Sequence, residues 1–305
     1  MNKTGNIILL VISQILLQPI VLSGNEAIEQ KAENIFFQTI RVNQDDSYIT
    51  AGGGWGNIEP LIFEAKLAPY FLLRTSEDAK WGATISPTVI FRMYNEYSYP
   101  VRTPSYKPHI TLYRQISGEN SSNMNYVFLN FAHHSNGQDD NFFNDDGSVN
   151  TYSGDFSTDY LKMGAFFNYK LVPFPNTYEY FKTSVEYHVD LTRNPNLKDR
   201  YSFIRWNNSL RIFRFFSSEK LLRIEKNPRI QTSLKTTWLF GNINNASFFD
   251  VKERFNVSLT IAYRPEALTD VSLFVNAYSG KDYYNIYFDR RLSIIRFGIQ
   301  AYAFR

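Results

Sequence analysis

From residue 61 onward the chain is dominated by segments of about ten residues in which apolar and polar side chains alternate. A period of two marks strands with one greasy face, and segments of this length suit strands that cross a membrane. The clearest run over 89–99, 110–115, 127–135, 159–171, 185–191, 204–212, 230–238, 257–263, 271–277 and 295–303. With 61–73 and the Tyr-rich stretch 283–288 they make twelve candidates, an even number as bacterial outer-membrane barrels require. Helical periodicity is almost absent. The joints differ in kind: 194–196 and 264–266 read as short polar turns, whereas 136–156 is a long loop rich in Asp, Asn and Gly. In the last segment Ile295, Phe297, Ile299, Ala301 and Ala303 share one face, and such an aromatic-rich terminal strand is how outer-membrane barrels finish. A soluble two-sheet sandwich also alternates, but strand length and aromatic content favour the barrel. The expected fold is all-β, a transmembrane antiparallel β-barrel of about twelve strands.

At the amino terminus Lys3 precedes an apolar run from Ile7 to Leu22, broken by Gln14, Gln18 and Pro19 and followed by Ser23 and Gly24. The pattern predicts a signal peptide over 1–24, and hence export; the alternative is an uncleaved anchor, which the internal Gln and Pro residues disfavour. Residues 25–56 form a segment of unassigned structure, and 57–305 the barrel. Composition agrees with strands greasy on one face: 26 Phe and 21 Tyr raise aromatics to 17%, while hydrophobic residues total only 44%. The absence of Cys excludes a disulfide scaffold, a Cys nucleophile and a thiolate metal site. A formal net charge of +3 gives no nucleic-acid footprint.

Chemistry concentrates in Val127–Gly137. Alternation puts Val127, Leu129, Phe131, His133 and Ser135 on one face. In a barrel the apolar face meets lipid, so an imidazole and a hydroxyl lie outside, at the edge of the hydrocarbon. Their Cβ atoms, two residues apart, are separated by roughly 7 Å, close enough for His133 to act as general base toward Ser135. The plainer reading is that polar residues end a strand at the interface. On the next strand Ser157, Asp159, Leu161 and Met163 share the apolar face, so pairing across the loop brings Asp159 or Ser157 beside His133. A carboxylate there orients the ring and stabilises the imidazolium. Asn136 and Gly137 follow the nucleophile directly and are the candidate oxyanion donors, Gly137 through an amide with no Cβ in the way. His134 alternates inward, as do Lys162, Arg211 and Arg296; the run Gly52–Gly56 reads as a flexible turn.

These residues resemble a known family. His133-His134-Ser135-Asn136-Gly137 is similar to the His-x-Ser-Asn-Gly motif of the outer membrane phospholipase A family. Upstream, Ser98-Tyr99-Pro100-Val101-Arg102 and Tyr106-Lys107-Pro108 resemble its Ser-x-Pro-x-Arg and Tyr-x-Pro stretches; downstream, Ser157-Thr158-Asp159 stands for Ser-x-Asn, with Asn194-Pro195 and Tyr278-Ser279-Gly280 similar to later features. The resemblance spans about 82–305. It implies a twelve-stranded barrel in the bacterial outer membrane, with a lipid-facing site that hydrolyses acyl esters of phospholipids as a phospholipase A1/A2. Ser135 would be the nucleophile, His133 the base, and Asp159 the orienter where the family has Asn, with Ser157 in reserve. Asp159→Asn would on this footing keep substantial activity. The resemblance further implies a calcium ion held by the main-chain carbonyls of Gln138 and Asp155 and completed by Ser98 of a second barrel in an active homodimer. One departure is Arg193, which stands where the family has a further calcium-binding Asp. The alternatives are a non-catalytic barrel, a pore or adhesin that retains the motif, and a deacylase of another lipid such as lipopolysaccharide.

Overall fold

A computed structural model of the chain describes residues 35–98, 100–118, 123–215 and 228–301; the expected signal peptide lies outside them. An antiparallel sheet closes on itself. Its segments are β1 (Tyr48–Thr50), β2 (Trp55–Gly56), β3 (Leu61–Leu67), β4 (Phe71–Leu73), β5 (Trp81–Tyr94), β6 (Ser105–Gln115) and β7 (Tyr126–Ser135). There follow β8 (Ser157–Phe167), β9 (Thr177–Val189), β10 (Ile204–Arg214), β11 (Ile230–Phe240), β12 (Phe255–Tyr263), β13 (Val271–Lys281) and β14 (Arg291–Ala301). β1 and β2 both lie along β14, and β3 and β4 both lie along β5, so the fourteen segments make twelve staves. The interruption between β3 and β4 falls at Pro69, which has no N–H for the ladder.

Alternation is read out as burial. Along β7, Val127, Leu129 and Phe131 face outward while Tyr126, Phe128, Asn130 and Ala132 are buried; along β14, Ile295, Phe297 and Ile299 face out and Arg296 and Gln300 face in. An exposed wall of Leu, Ile, Val and Phe around a polar interior is the outward face of an outer-membrane barrel, where the surrounding solvent is lipid. The chain is therefore a multi-pass barrel of the bacterial outer membrane.

Two sequence expectations fail locally. Residues 283–288 are not a strand: Asn285–Asp289 is a 3₁₀ helix tucked into the barrel mouth. Asp282 makes a bidentate pair with Arg92, at 2.7 and 2.8 Å, and also accepts from the Tyr284 amide, while Asn285 adopts a positive φ. These contacts pull the chain inward, where Tyr284, Ile286, Tyr287 and Phe288 are buried on all sides rather than on one. The twelfth stave is supplied instead by β1, from the segment 25–56 to which sequence pattern assigns no structure. Likewise 194–196 is no tight turn between strands but sits within the β9–β10 connection, where Asn194 caps a 3₁₀ helix, Pro195–Leu197. The Gly-rich run after β1 crosses β14 closely: a Cβ on Gly54 or Gly56 would strike the carbonyls of Ile295 or Ser293.

Apolar clusters pack into the lumen near both rims. At the rim carrying the β7–β8 loop, Phe142, Phe156, Leu197, Tyr201, Tyr284 and Phe288 form one cluster. At the opposite rim the helix α1 (Ile35–Val42) inserts Phe36, Phe37 and Ile40 among Tyr113, Tyr126 and Phe166. α1 is tethered by Arg211, whose guanidinium donates to the carbonyl of Val42 at 2.7 Å and to Asp46 at 3.0 Å.

Candidate active site

β7 and β8 pair in a register that sets His133 opposite Asp159 and Ser135 opposite Ser157. Both apolar faces point outward, so the cross-strand pair stands on the lipid side of the wall. His133 Nδ1 lies 2.9 Å from Asp159 Oδ1. His133 is partly exposed and Asp159 nearly buried, so the carboxylate is walled in while the imidazole reaches outward. With Nδ1 engaged, Nε2 is the nitrogen a neighbouring hydroxyl can use. Ser135, two residues on along the same face, is partly exposed at the strand end.

Thr192, in the β9–β10 connection, is signalled by no sequence motif. Its main-chain N–H and its hydroxyl both donate to Asp159 Oδ2, at 2.9 and 2.6 Å. Ser157 Oγ lies 3.1 Å from Thr192 Oγ1; because that hydroxyl proton is given to Asp159, Ser157 is the donor in the second bond. Asp159 is thus held at both oxygens, and the structure brings it, rather than Ser157, to His133. Nothing in sequence spacing points to Thr192, since it arrives from a different loop.

The β7–β8 loop is pinched at its base by Asn136. Its N–H donates to the Phe156 carbonyl at 3.1 Å, its Nδ2 to the Gly154 carbonyl at 2.8 Å, and its Oδ1 accepts from the Phe156 and Gln138 amides at 3.0 and 3.3 Å. This fully buried side chain braces the loop, and its donors are not turned to a substrate, which corrects its assignment as an oxyanion donor. Gly137 follows in the left-handed region, φ 65°, where a Cβ would meet the Tyr106 ring at 3.4 Å.

The expected calcium ligands are placed unequally. The pinch sets Gln138 and Asp155 on facing sides of the loop base. Asn194 Nδ2 donates to both the main-chain carbonyl and the carboxylate of Asp155, at 3.1 and 2.8 Å. Those two oxygens therefore point the same way. Arg193 is turned to Asp190, at 2.8 Å, and stacks over Phe203. Ser98 lies exposed in the β5–β6 connection at the same rim, with no hydrogen bond to Gln138 or Asp155 among the described residues. No cluster of three His, Cys, Asp or Glu side chains suited to a metal occurs among the described residues. The other histidines serve the interior: His134 Nε2 bonds Ser105 at 2.7 Å, and His188 lies between Glu186 and Thr158. Arg102, in the upstream motif, is sandwiched between the Tyr94 and Tyr152 rings, each 4.1 Å away.

No protein-family model and no curated protein matches the chain in sequence. Among solved structures, outer membrane phospholipase A from Escherichia coli superposes with a TM-score of 0.58 at 15% identity, covering 88% of this chain and 98% of that one. An active-site mutant of that enzyme at pH 6.1 gives the same TM-score and coverage at 14% identity. The calcium-bound dimer of the Salmonella typhi outer membrane phospholipase matches at TM-score 0.58 and 13% identity, over 86% of this chain and 91% of that one. The chain accordingly has the fold of outer membrane phospholipase A along nearly the whole length of those proteins.

Proposed function

We propose that the protein is a phospholipase A1/A2 that hydrolyses acyl ester bonds of membrane phospholipids at its outer wall. The observation that carries this reading is the 2.9 Å contact between His133 and Asp159 on the lipid-facing surface, beside Ser135. A polar pair there has no use in closing a barrel. In this mechanism Ser135 Oγ attacks the ester carbonyl while His133 Nε2 takes its proton. Asp159, fixed by Thr192, holds Nδ1–H toward itself and stabilises the imidazolium. The Gly137 amide donates to the developing oxyanion. The imidazolium then protonates the leaving alkoxide, lysophospholipid departs, and water enters by the same route to release the fatty acid. Phe131, Leu161 and Tyr187, all exposed on the strands around the pair, offer a surface for the acyl chain. A pore is the poorer alternative, because apolar clusters occupy the lumen near both rims.

Calcium fits the oxygen chemistry of the loop base. Gln138 and Asp155 would hold it through their main-chain carbonyls, a hard donor set, with the Asp155 oxygens already aligned by Asn194 and the Arg193 charge turned away to Asp190. When bound, the ion would add positive charge near the oxyanion. Ser98 of a second copy would complete the set, making the active species a homodimer.

The test is fatty-acid release from phospholipid by the purified chain in detergent, with calcium and with a chelator. Release with calcium and at least a ten-fold drop on chelation are expected; no release in either condition overturns the phospholipase reading, and release from lipopolysaccharide alone favours the deacylase. Activity per molecule should rise with protein concentration, and Ser98→Ala should weaken the calcium response. Constant specific activity down to dilutions at which cross-linking detects only monomers would remove the dimer from the mechanism.

Thr192→Val keeps the β-branched shape but deletes a hydroxyl bonded to a charged carboxylate, an interaction worth about 1.5–3 kcal/mol. A fall in kcat of roughly 10- to 100-fold with little change in KM is expected, and near-normal activity in Thr192→Ser. An unchanged kcat in the Val variant would show that the loop does not position Asp159.

A further inference from the structure

Between the two apolar clusters lies a chamber of about 410 Å³ with strongly uneven charge. Eight Lys and Arg residues line it against four carboxylates. Pairing does not remove the imbalance. Lys162 takes Glu186 at 2.7 Å and Lys66 takes Asp45. Arg296 and Lys281 find partners beyond the lining, in Glu64 and in Glu253 with Asp289. Conversely, Asp46 and Asp282 are drawn off by Arg211 and Arg92.

Four lining cations are left over or share a carboxylate that a closer cation holds: Lys107, Arg205, Lys235 and Arg200, the last over the Phe143 ring at 5.1 Å. Lys107 Nζ donates to the main-chain carbonyl of Tyr283 at 2.9 Å and is in ion-pair contact with no carboxylate among the described residues. Arg205 reaches Glu186 at 3.5 Å, behind the closer Lys162. Lys235 reaches Asp45 at 3.9 Å, behind the closer Lys66. Lys107 lies within electrostatic reach of both Lys66 and Arg205. An excess of ammonium and guanidinium groups over carboxylates inside a protein is costly unless a further counter-charge joins them. Guanidinium and ammonium donors together suit an oxyanion, the first by its planar fork and the second as a point charge.

We propose that the lumen is a binding site for a small, multiply charged oxyanion, a phosphate or a compound bearing one, held by Lys107 and Arg205 with Lys235 lining the same chamber. The site is separate from the outward-facing pair and does not depend on the phospholipase reading. With apolar clusters packed near both rims, the bound anion is expected to enter as the barrel forms and to exchange slowly.

The full chain is refolded in detergent with radiolabelled inorganic phosphate, passed through a desalting column into chloride buffer of equal ionic strength, and the retained label counted per chain. Close to one phosphate per folded chain is expected, with at least a ten-fold loss in Lys107→Met and full retention in Lys170→Met, which removes an exposed charge outside the chamber. Lys235→Met serves as a second variant should Lys107→Met refold poorly, and heat-dependent gel mobility reports folding in each case. No retained label in the folded wild type would show that the chamber holds no anion, and the proposal falls. Label retained equally by the folded Lys107→Met or Lys235→Met chain, or lost in Lys170→Met, would overturn it as surface binding.

Discussion

Ser135→Ala is expected to abolish the proposed ester hydrolysis, lowering kcat by at least about a thousand-fold, while the barrel still folds and inserts. Loss of a serine nucleophile removes the covalent route altogether, and what remains comes from binding and oxyanion stabilisation alone. Folding is spared because Ser135 is a partly exposed residue at the end of β7 that joins the sheet through its backbone; substitutions of that kind change stability by about 0.5 kcal/mol or less. Fatty-acid release and heat-dependent gel mobility are measured side by side. A folded Ser135→Ala chain that retains a tenth of wild-type kcat would show that Ser135 is not the nucleophile.

The second large effect falls at Asp159, where the structure reverses what family resemblance suggests. From sequence, Asp159→Asn is expected to keep substantial activity and Asp159→Ala to lose more. Yet Oδ2 accepts two donors from Thr192, one of them a main-chain N–H that cannot turn round. With its NH₂ toward Thr192, the amide introduced by Asp159→Asn would set donor against donor. Flipped, it would satisfy Thr192 but point its N–H at His133 Nδ1, forcing the proton onto Nε2, where the base must be empty. Asp159→Asn should therefore lose about 100-fold or more in kcat with KM little changed, close to the loss in Asp159→Ala. An Asp159→Asn enzyme within a few-fold of wild type would show that the Thr192 contacts yield more readily than their geometry implies. If Asp159→Ala were fully active and Ser157→Ala dead, the orienting role would pass to Ser157.

Single residues show where local pattern suffices and where it fails. His133 and Ser135 are legible because strand periodicity is rigid: two residues along a strand always share a face, and an imidazole on a greasy face stands out. Asp159 is legible for the same reason, once β7 and β8 are taken as neighbours. Asn136 misleads because its position after the nucleophile suggests a donor to substrate, whereas its surroundings take up those donors to pinch the loop. Residues 283–288 mislead because their aromatic content matches that of a strand; the contact that turns them inward, Arg92 with Asp282, joins residues far apart in the chain.

What the sequence determined by itself is what local periodicity encodes: an outer-membrane barrel, the lipid face of all but one of its staves, and a His, a Ser and an Asp on that face. The tertiary structure alone decided the partners. The register of β7 against β8 put Asp159 on His133, and a separate loop brought Thr192 behind it. A helix from the amino-terminal segment became the packing at one rim, and the lumen gathered more cations than carboxylates. Alternation specifies a side chain's direction relative to its own strand, but which residue it meets depends on register, closure and loop packing, and those are properties of the whole barrel.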